Sequence, residues 1–247
     1  MRQLWIVLFL AFQPCSADAE TLRIATDATF PPFHFLDDTG SPTGFDVELA
    51  RAVAEQAGFD VALLIVEYDQ LFTGLSDGSH DLVAATTGIT AERQQRFLFS
   101  DAYFETCQAA VVRTGFDEPL HVRELSELRI GASGAGTSYS AMLETLSAAQ
   151  LRIADGEGPD ALSSRRIDAW IVDEFDAVAA ARGSHGTLAV LPEPVALERY
   201  GFVMDRRDEA RLERINRALD VLRQNGELER LQRRYGVLRD AEWPLRY

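Results

Sequence analysis

The chain has 247 residues, 47% of them hydrophobic and 26% charged, enough apolar material for one large domain or two modest lobes with real cores. Its formal net charge of −15 opposes binding to a polyanion, so a nucleic-acid partner is not expected. All 24 basic residues are arginine, which a compositional bias of the source genome explains without any functional reason.

Residues 1–19 read as a secretory leader. Arg2 supplies the positive start, Leu4 to Phe12 an apolar stretch, and Ala17-Asp18-Ala19 a small-x-small cleavage pattern after the break at Gln13 to Ser16. The stretch is too short to span a bilayer, so the expectation is export to the periplasm with a mature chain from about Glu20. Cys15 would suggest a lipid anchor, but Pro14 before it fits that pattern poorly. Cys107 then has no internal partner, and its apolar flank predicts a buried thiol.

Strand-like and helix-like runs then alternate, which predicts an α/β fold with mainly parallel sheets. Leu22 to Thr26 is a first strand. Asp46 caps a helix with Val47, Ala50, Val53 and Ala54 on its apolar face, and Gly58 ends it. Val61 to Val66 is a strand, Tyr68 to Leu75 a short helix, Leu82 to Ala85 a strand, and Gln108 to Arg113 a first crossing between lobes. A second set follows: Leu128 to Ala132, a glycine-rich turn, a helix from about Ser138 to Ala148, a strand Ala169 to Val172, and a helix from Glu174 to Arg182. Tyr200 to Met204 reads as the return crossing. Leu212, Ile215, Leu219 and Leu222 form one helical stripe, and Leu228, Leu231 and Tyr235 the next. The expected division is a first lobe over 20–108 and 200–247, with a second lobe over 109–199 inserted.

Two distant segments suit opposite ends of a zwitterion. Thr86-Thr87-Gly88-Ile89-Thr90-Ala91-Glu92-Arg93 offers hydroxyls, a glycine and then a guanidinium, whose fork can hold both oxygens of a carboxylate. Asp173 ends the run Asp168-Ala169-Trp170-Ile171-Val172, where its carboxylate can meet an ammonium.

In these and several further segments, the chain resembles the family 3 periplasmic solute-binding proteins, the amino-acid receptors of bacterial ABC importers. The resemblance covers nearly all of the mature chain. It is carried, in order, by Thr26-Asp27-Ala28-Thr29-Phe30-Pro31-Pro32-Phe33, by Gly44-Phe45-Asp46-Val47-Glu48-Leu49-Ala50, by Gly88 to Arg93 with Phe99-Ser100-Asp101-Ala102-Tyr103, by Ile167 to Glu174, and by Asn225-Gly226-Glu227-Leu228 with Arg234-Tyr235-Gly236. It implies a two-lobed, type II periplasmic-binding-protein fold with two crossing strands as hinge and the ligand in the interlobe cleft. Carried over, Arg93 binds an α-carboxylate, Asp173 an α-ammonium, and Phe30 and Tyr68 sandwich the side chain. Thr86 and Gly88 add hydroxyl or backbone contacts, Asp27 sits near the distal end, and Thr137 and Ser138 contribute from the second lobe. Two departures stand out: Gly88 replaces a serine or threonine common in relatives, and Ser133 to Ser138 replaces the usual Gly-Thr-Thr or Gly-Thr-Gly turn.

Each residue also has a plainer reading. Arg93 fits a solvated helical turn, Asp173 a helix cap, Phe30 and Tyr68 the core, and Asp27 a strand end. Asp46 reads as a helix cap. His34, His80, His121 and His185 lack metal spacing, so neither metal nor cofactor is expected. The functional expectation is a monomeric binding protein that delivers a polar or basic L-amino acid to membrane permease subunits. The alternatives are a dehydratase-type enzyme on the same scaffold and a ligand-sensing module for a separate signalling partner.

Overall fold

A computed structural model describes residues 19–115, 121–132, 137, 152–153 and 158–238. Apart from Ala19, the expected leader lies outside them, as do Ser138 and the helix expected after it.

The first lobe opens with β1 (Thr21–Thr26), then a small antiparallel sheet of β2 (Thr29–Phe30), β3 (His34–Leu36) and β4 (Pro42–Thr43) that the sequence reading missed. It continues through α1 (Phe45–Gln56), β5 (Asp60–Ile65), α2 (Gln70–Asp77), β6 (Leu82–Val83), α3 (Ala91–Arg96) and β7 (Leu98–Phe99). The second lobe runs from β8 (Phe104–Arg113) through the 3₁₀ turn Val122–Glu127, β9 (Arg129–Ala132), β10 (Arg152–Ile153), α4 (Gly158–Ser163), β11 (Ala169–Asp173), α5 (Glu174–Gly183) and β12 (Leu188–Val190) to β13 (Ala196–Tyr200). The chain then re-enters the first lobe as β14 (Val203–Met204), α6 (Glu209–Gln224) and α7 (Glu227–Arg234).

Each lobe has its own sheet. The first has the order β5-β1-β6-β14-β7, with β1 parallel to both neighbours and β14 antiparallel to both of its own. The second has the order β10-β9-β11-β8-β12, with β13 alongside the other half of the long strand β8. Alternation along each strand sends side chains to opposite faces, so each sheet is covered on both. In β1, Leu22 and Ile24 enter one buried cluster and Ala25 another; in β8, Ala110 and Val112 enter one, and Cys107, Ala109 and Val111 the other. Cys107 is fully buried, as its flank predicts. On α6 the stripe Ile215, Leu219 and Leu222 packs with the α1 face of Leu49, Ala50 and Val53, each large aliphatic contributing about 1.5–3 kcal/mol.

The crossings are short and lie side by side at 100–103 and 201–202; Gln108 to Arg113, expected as the first crossing, instead lies within β8 and pairs with β11 inside the second lobe. Ser100 N–H donates to Phe202 O (2.9 Å), Phe202 N–H to Ser100 Oγ (2.9 Å), and Tyr103 N–H to Tyr200 O (3.0 Å). The return strand begins at Ala196, four residues before the Tyr200 start expected from sequence, because β13 first pairs with β8 (Ala196 opposite Gln108, Tyr200 opposite Phe104). Asp46 does not cap α1. The cap is Gly44, at φ 122°, whose missing Cβ would lie 2.2 Å from the Phe33 carbonyl oxygen, so both conformation and space demand glycine there. Asp46 stands inside the helix and its side chain has a different task.

Candidate functional site

Between the sheets lies a cavity of about 620 Å³, walled by both lobes, a size that suits a small-molecule ligand. Of the sequence-predicted site residues, Asp27, Phe30, Tyr68, Thr86, Arg93, Thr137 and Asp173 all line it. Gly88 is not among the described lining residues; it lies just behind, bridged to Tyr200. Ser138 lies outside the described residues.

The first-lobe wall is braced from beneath. After β6 the chain turns at Thr86, which takes φ 40°, a conformation costly for a β-branched residue. Two side chains hold it there. Asp46 Oδ2 accepts the Thr86 N–H at 2.5 Å, and His34 Nε2 lies 3.2 Å from Thr86 Oγ1. The other imidazole nitrogen of His34 is 2.9 Å from Asp27 Oδ1, an ion pair when the ring is protonated though not a well-aligned hydrogen bond. Burial alone would raise the Asp27 carboxyl, but His34 and the Thr29 hydroxyl (2.8 Å) outweigh it and hold it below the usual range. Asp46 is fully buried, and desolvation pushes its carboxyl up to about 6 against the pull of His34 and the Thr86 N–H. Phe30 stacks on Phe33 (5.6 Å, 9°), while Tyr68 is 44% exposed at the cavity.

Arg93 is positioned locally. Thr90 caps α3 by accepting the Arg93 N–H (3.2 Å), Arg93 Nη1 donates to Gly88 O (3.1 Å), and its guanidinium lies over the Phe72 ring at 5.5 Å. A guanidinium has five donors in a fixed fork; the carbonyl and the ring orient it toward the cavity it lines.

The second-lobe wall gathers carboxyl groups. Asp173 occupies the cap position of α5 but makes no side-chain cap bond. Its Oδ1 instead accepts from Tyr200 Oη (2.8 Å) and Gln108 Nε2 (3.1 Å). Burial first, and the neighbouring Glu198 second, push its carboxyl up to about 7. Glu198 Oε2 accepts from the same Gln108 nitrogen at 2.7 Å, and burial raises the Glu198 carboxyl too. Asp176, one turn further along α5, also lines the cavity and is raised by desolvation.

Sequence reasoning missed His34, Asp176 and the Gln108–Glu198–Tyr200 group. His34 was weighed only as a metal ligand, and among the described residues no three His, Cys, Asp or Glu are placed to hold one. Asp176 had a usable signal in its i, i+3 spacing from Asp173, which puts both on one helix face. Gln108, Glu198 and Tyr200 come together only through the β8–β13 pairing.

Comparison with known proteins matches this arrangement. The family described as bacterial extracellular solute-binding proteins, family 3, matches residues 22–237. The L-cystine-binding protein TcyJ of Escherichia coli (strain K12) is 28% identical over 219 residues, 87% of this chain and 82% of that one. The solved structure of an ancestral arginine-binding protein bound to arginine has a TM-score of 0.73 at 31% identity, covering 87% of this chain and 97% of the other. A second, an ancestral amino acid-binding protein that is a precursor of cyclohexadienyl dehydratase, has a TM-score of 0.72 at 28% identity, covering 87% and 94%. Two lobes, two crossings and an interlobe cavity are the type II periplasmic-binding-protein architecture, and the chain belongs to family 3 of the bacterial extracellular solute-binding proteins.

Proposed function

We propose that this protein binds a polar or basic L-amino acid in the interlobe cavity and delivers it to the membrane permease subunits of an ABC importer. The observation that carries the reading is charge placement: one cavity, with Arg93 on the first-lobe wall and Asp173 on the second. A guanidinium fork suits an α-carboxylate and a recessed carboxylate suits an α-ammonium. Because the two anchors come from different lobes, a zwitterion touching both favours closure. In this reading Phe30 and Tyr68 flank the side chain, and Thr86, Thr137 and Ser138 add polar contacts. Gly88 contributes by holding Arg93 rather than by touching ligand. The crossings at 100–103 and 201–202 act as the hinge, which widens the inserted lobe expected over 109–199 to 104–200. The protein works as a periplasmic monomer after loss of residues 1–19.

A thermal-shift screen of the twenty amino acids tests this. A ligand that binds only the native state adds about 2.7 kcal/mol at a hundredfold excess over Kd. Scattering should then show a smaller radius of gyration with the hit, and an unchanged profile at saturation would rule out closure. Mass spectrometry of periplasmic material should find a chain starting near Glu20.

An enzymatic reading has one observation in its favour. The Asp173 carboxyl, pushed up to about 7, stands where general acid–base catalysis operates, and one similar structure is of a dehydratase precursor. Product formation from cyclohexadienyl acids, abolished by Asp173→Asn, would establish it; saturable amino-acid binding without turnover supports the receptor.

A further inference from the structure

We infer that Glu198 is a positioning residue for the ammonium site: it holds the single proton that the Asp173–Glu198 carboxyl pair keeps at neutral pH, leaving Asp173 as the anion that faces the cavity. The inference rests on the proposed ammonium role of Asp173.

Three observations carry it. First, the two carboxyls compete for one donor. Gln108 Nε2 lies 2.7 Å from Glu198 Oε2, 3.1 Å from Asp173 Oδ1 and 3.3 Å from Thr137 Oγ1, and an amide nitrogen has only two hydrogens to share among them. Two carboxylates this close and this buried do not both ionise cheaply. Second, the surroundings separate them. Asp173 has a hydroxyl donor in Tyr200 at 2.8 Å, and it stands at the N-terminal end of the ten-residue helix α5, where the backbone dipole favours an anion. Glu198 Oε1 is buried and takes no hydrogen bond; burial, the largest influence on this carboxyl, favours its neutral form and outweighs Thr137 and Gln108, which favour the ionised one. A neutral carboxylic acid fits that position better than a carboxylate. Third, that oxygen is pressed against the first lobe. A Cβ added to Gly88 would lie 2.0 Å from Glu198 Oε1, so glycine at 88 is what lets this carboxyl seat under the loop that holds Arg93. The missing side chain at 88 is therefore a space that Glu198 fills.

The charged and titratable groups facing the pair are Arg93 from the first-lobe loop, which favours ionised Glu198, Asp176 from α5, which opposes ionised Asp173, and Tyr200 from β13. Arg93 is engaged by the Gly88 carbonyl, so its pull does not reach Glu198 through a direct hydrogen bond.

The test begins without ligand. Carboxyl carbon NMR of the ligand-free protein should show the Glu198 side chain keeping its proton to a higher pH than Asp173. The thermal midpoint of the parent should fall as pH rises through that titration, since a carboxyl raised on folding stabilises only while protonated. Glu198→Gln should lose this fall. With L-arginine as probe, parent affinity should tighten several-fold between pH 6.5 and 8.5 as the pair gives up its proton to solvent, and the Glu198→Gln profile should be flat. A proton kept to higher pH by Asp173 than by Glu198, or an unchanged pH profile in Glu198→Gln, overturns the inference. If L-arginine binds neither protein, the failure belongs to the amino-acid reading, and the ligand-free titration still decides the role of Glu198.

Discussion

Asp27 and Asp173 line the same cavity and are pushed in opposite directions. Asp27, on the first-lobe wall, has His34 at 2.9 Å and the Thr29 hydroxyl at 2.8 Å, and its carboxyl is held low. Asp173, on the second-lobe wall, is desolvated beside another carboxyl and is held high. Both are desolvated; what differs is the neighbour, an imidazole and a hydroxyl for Asp27 and a second carboxyl for Asp173. The first wall is complete in itself, down to the Asp46 bond that fixes Thr86. The second wall keeps a carboxyl pair with, among the described residues, no cation of its own lobe beside it, and a ligand ammonium is the group that would match it. This difference suits a two-lobed receptor, in which one lobe presents a finished surface and the other gains most from closing on the ligand.

The largest effects should come from the anchors. Arg93→Ala should weaken binding of any α-amino acid by about 2–5 kcal/mol, roughly thirtyfold to several thousandfold, because it strips one partner from a charge pair that closure desolvates. Calorimetry with circular dichroism to confirm folding measures it; parent-like affinity would move the carboxylate elsewhere. Asp173→Asn should cost a comparable amount at the ammonium end with the fold intact, because Asp173 makes no side-chain cap bond to lose.

The bracing of the first wall should show in stability as well as binding. Asp46→Ala leaves the half-buried Thr86 N–H without its acceptor and should destabilise by about 1–3 kcal/mol, read as a lower denaturation midpoint. A loss confined to affinity would mean that Thr86 holds its positive φ unaided.

Asp27→Asn should act more gently. Because Asp27 is already matched by His34, its loss should change affinity by less than about 1.4 kcal/mol, or tenfold, while reordering preference among side chains. A loss as large as that of Arg93→Ala would erase the contrast between the walls.

The smallest effect is a pH dependence. Burial raises the Asp46 carboxyl from 3.8 to about 6. A carboxyl whose pKa is raised on folding stabilises fully below its unfolded value, and that contribution is lost as pH rises through the folded value. Thermal midpoints should therefore decline modestly between about pH 4 and pH 6, and Asp46→Asn, which keeps an acceptor without the charge, should flatten that decline.

Much of this was legible in the sequence because it depends on local pattern. Period-2 and period-3.6 apolar spacing marked β1, β8, α1 and α6, since each buries a face dictated by its own residues. The segment from Thr86 to Arg93 was legible for the same reason: Thr90 caps the short helix, and the Gly88 carbonyl turns back to the guanidinium within five residues. The role of Asp46 was misjudged, because an aspartate at a helix start usually caps it, and only the packing of α1 against the first-lobe sheet brings its carboxylate to Thr86, 40 residues on. His34 was passed over because its partners, Asp27 and Thr86, meet it through a small sheet of two- and three-residue strands too short to leave a periodic signal. What the sequence by itself determined is the order of the longer elements, the two cores and the opposite charges at Arg93 and Asp173. What only the tertiary structure decided is the protonation balance of the cavity: a carboxyl's charge follows from burial and from whatever lies within a few ångströms, and here those neighbours come from strands 65 to 90 residues apart.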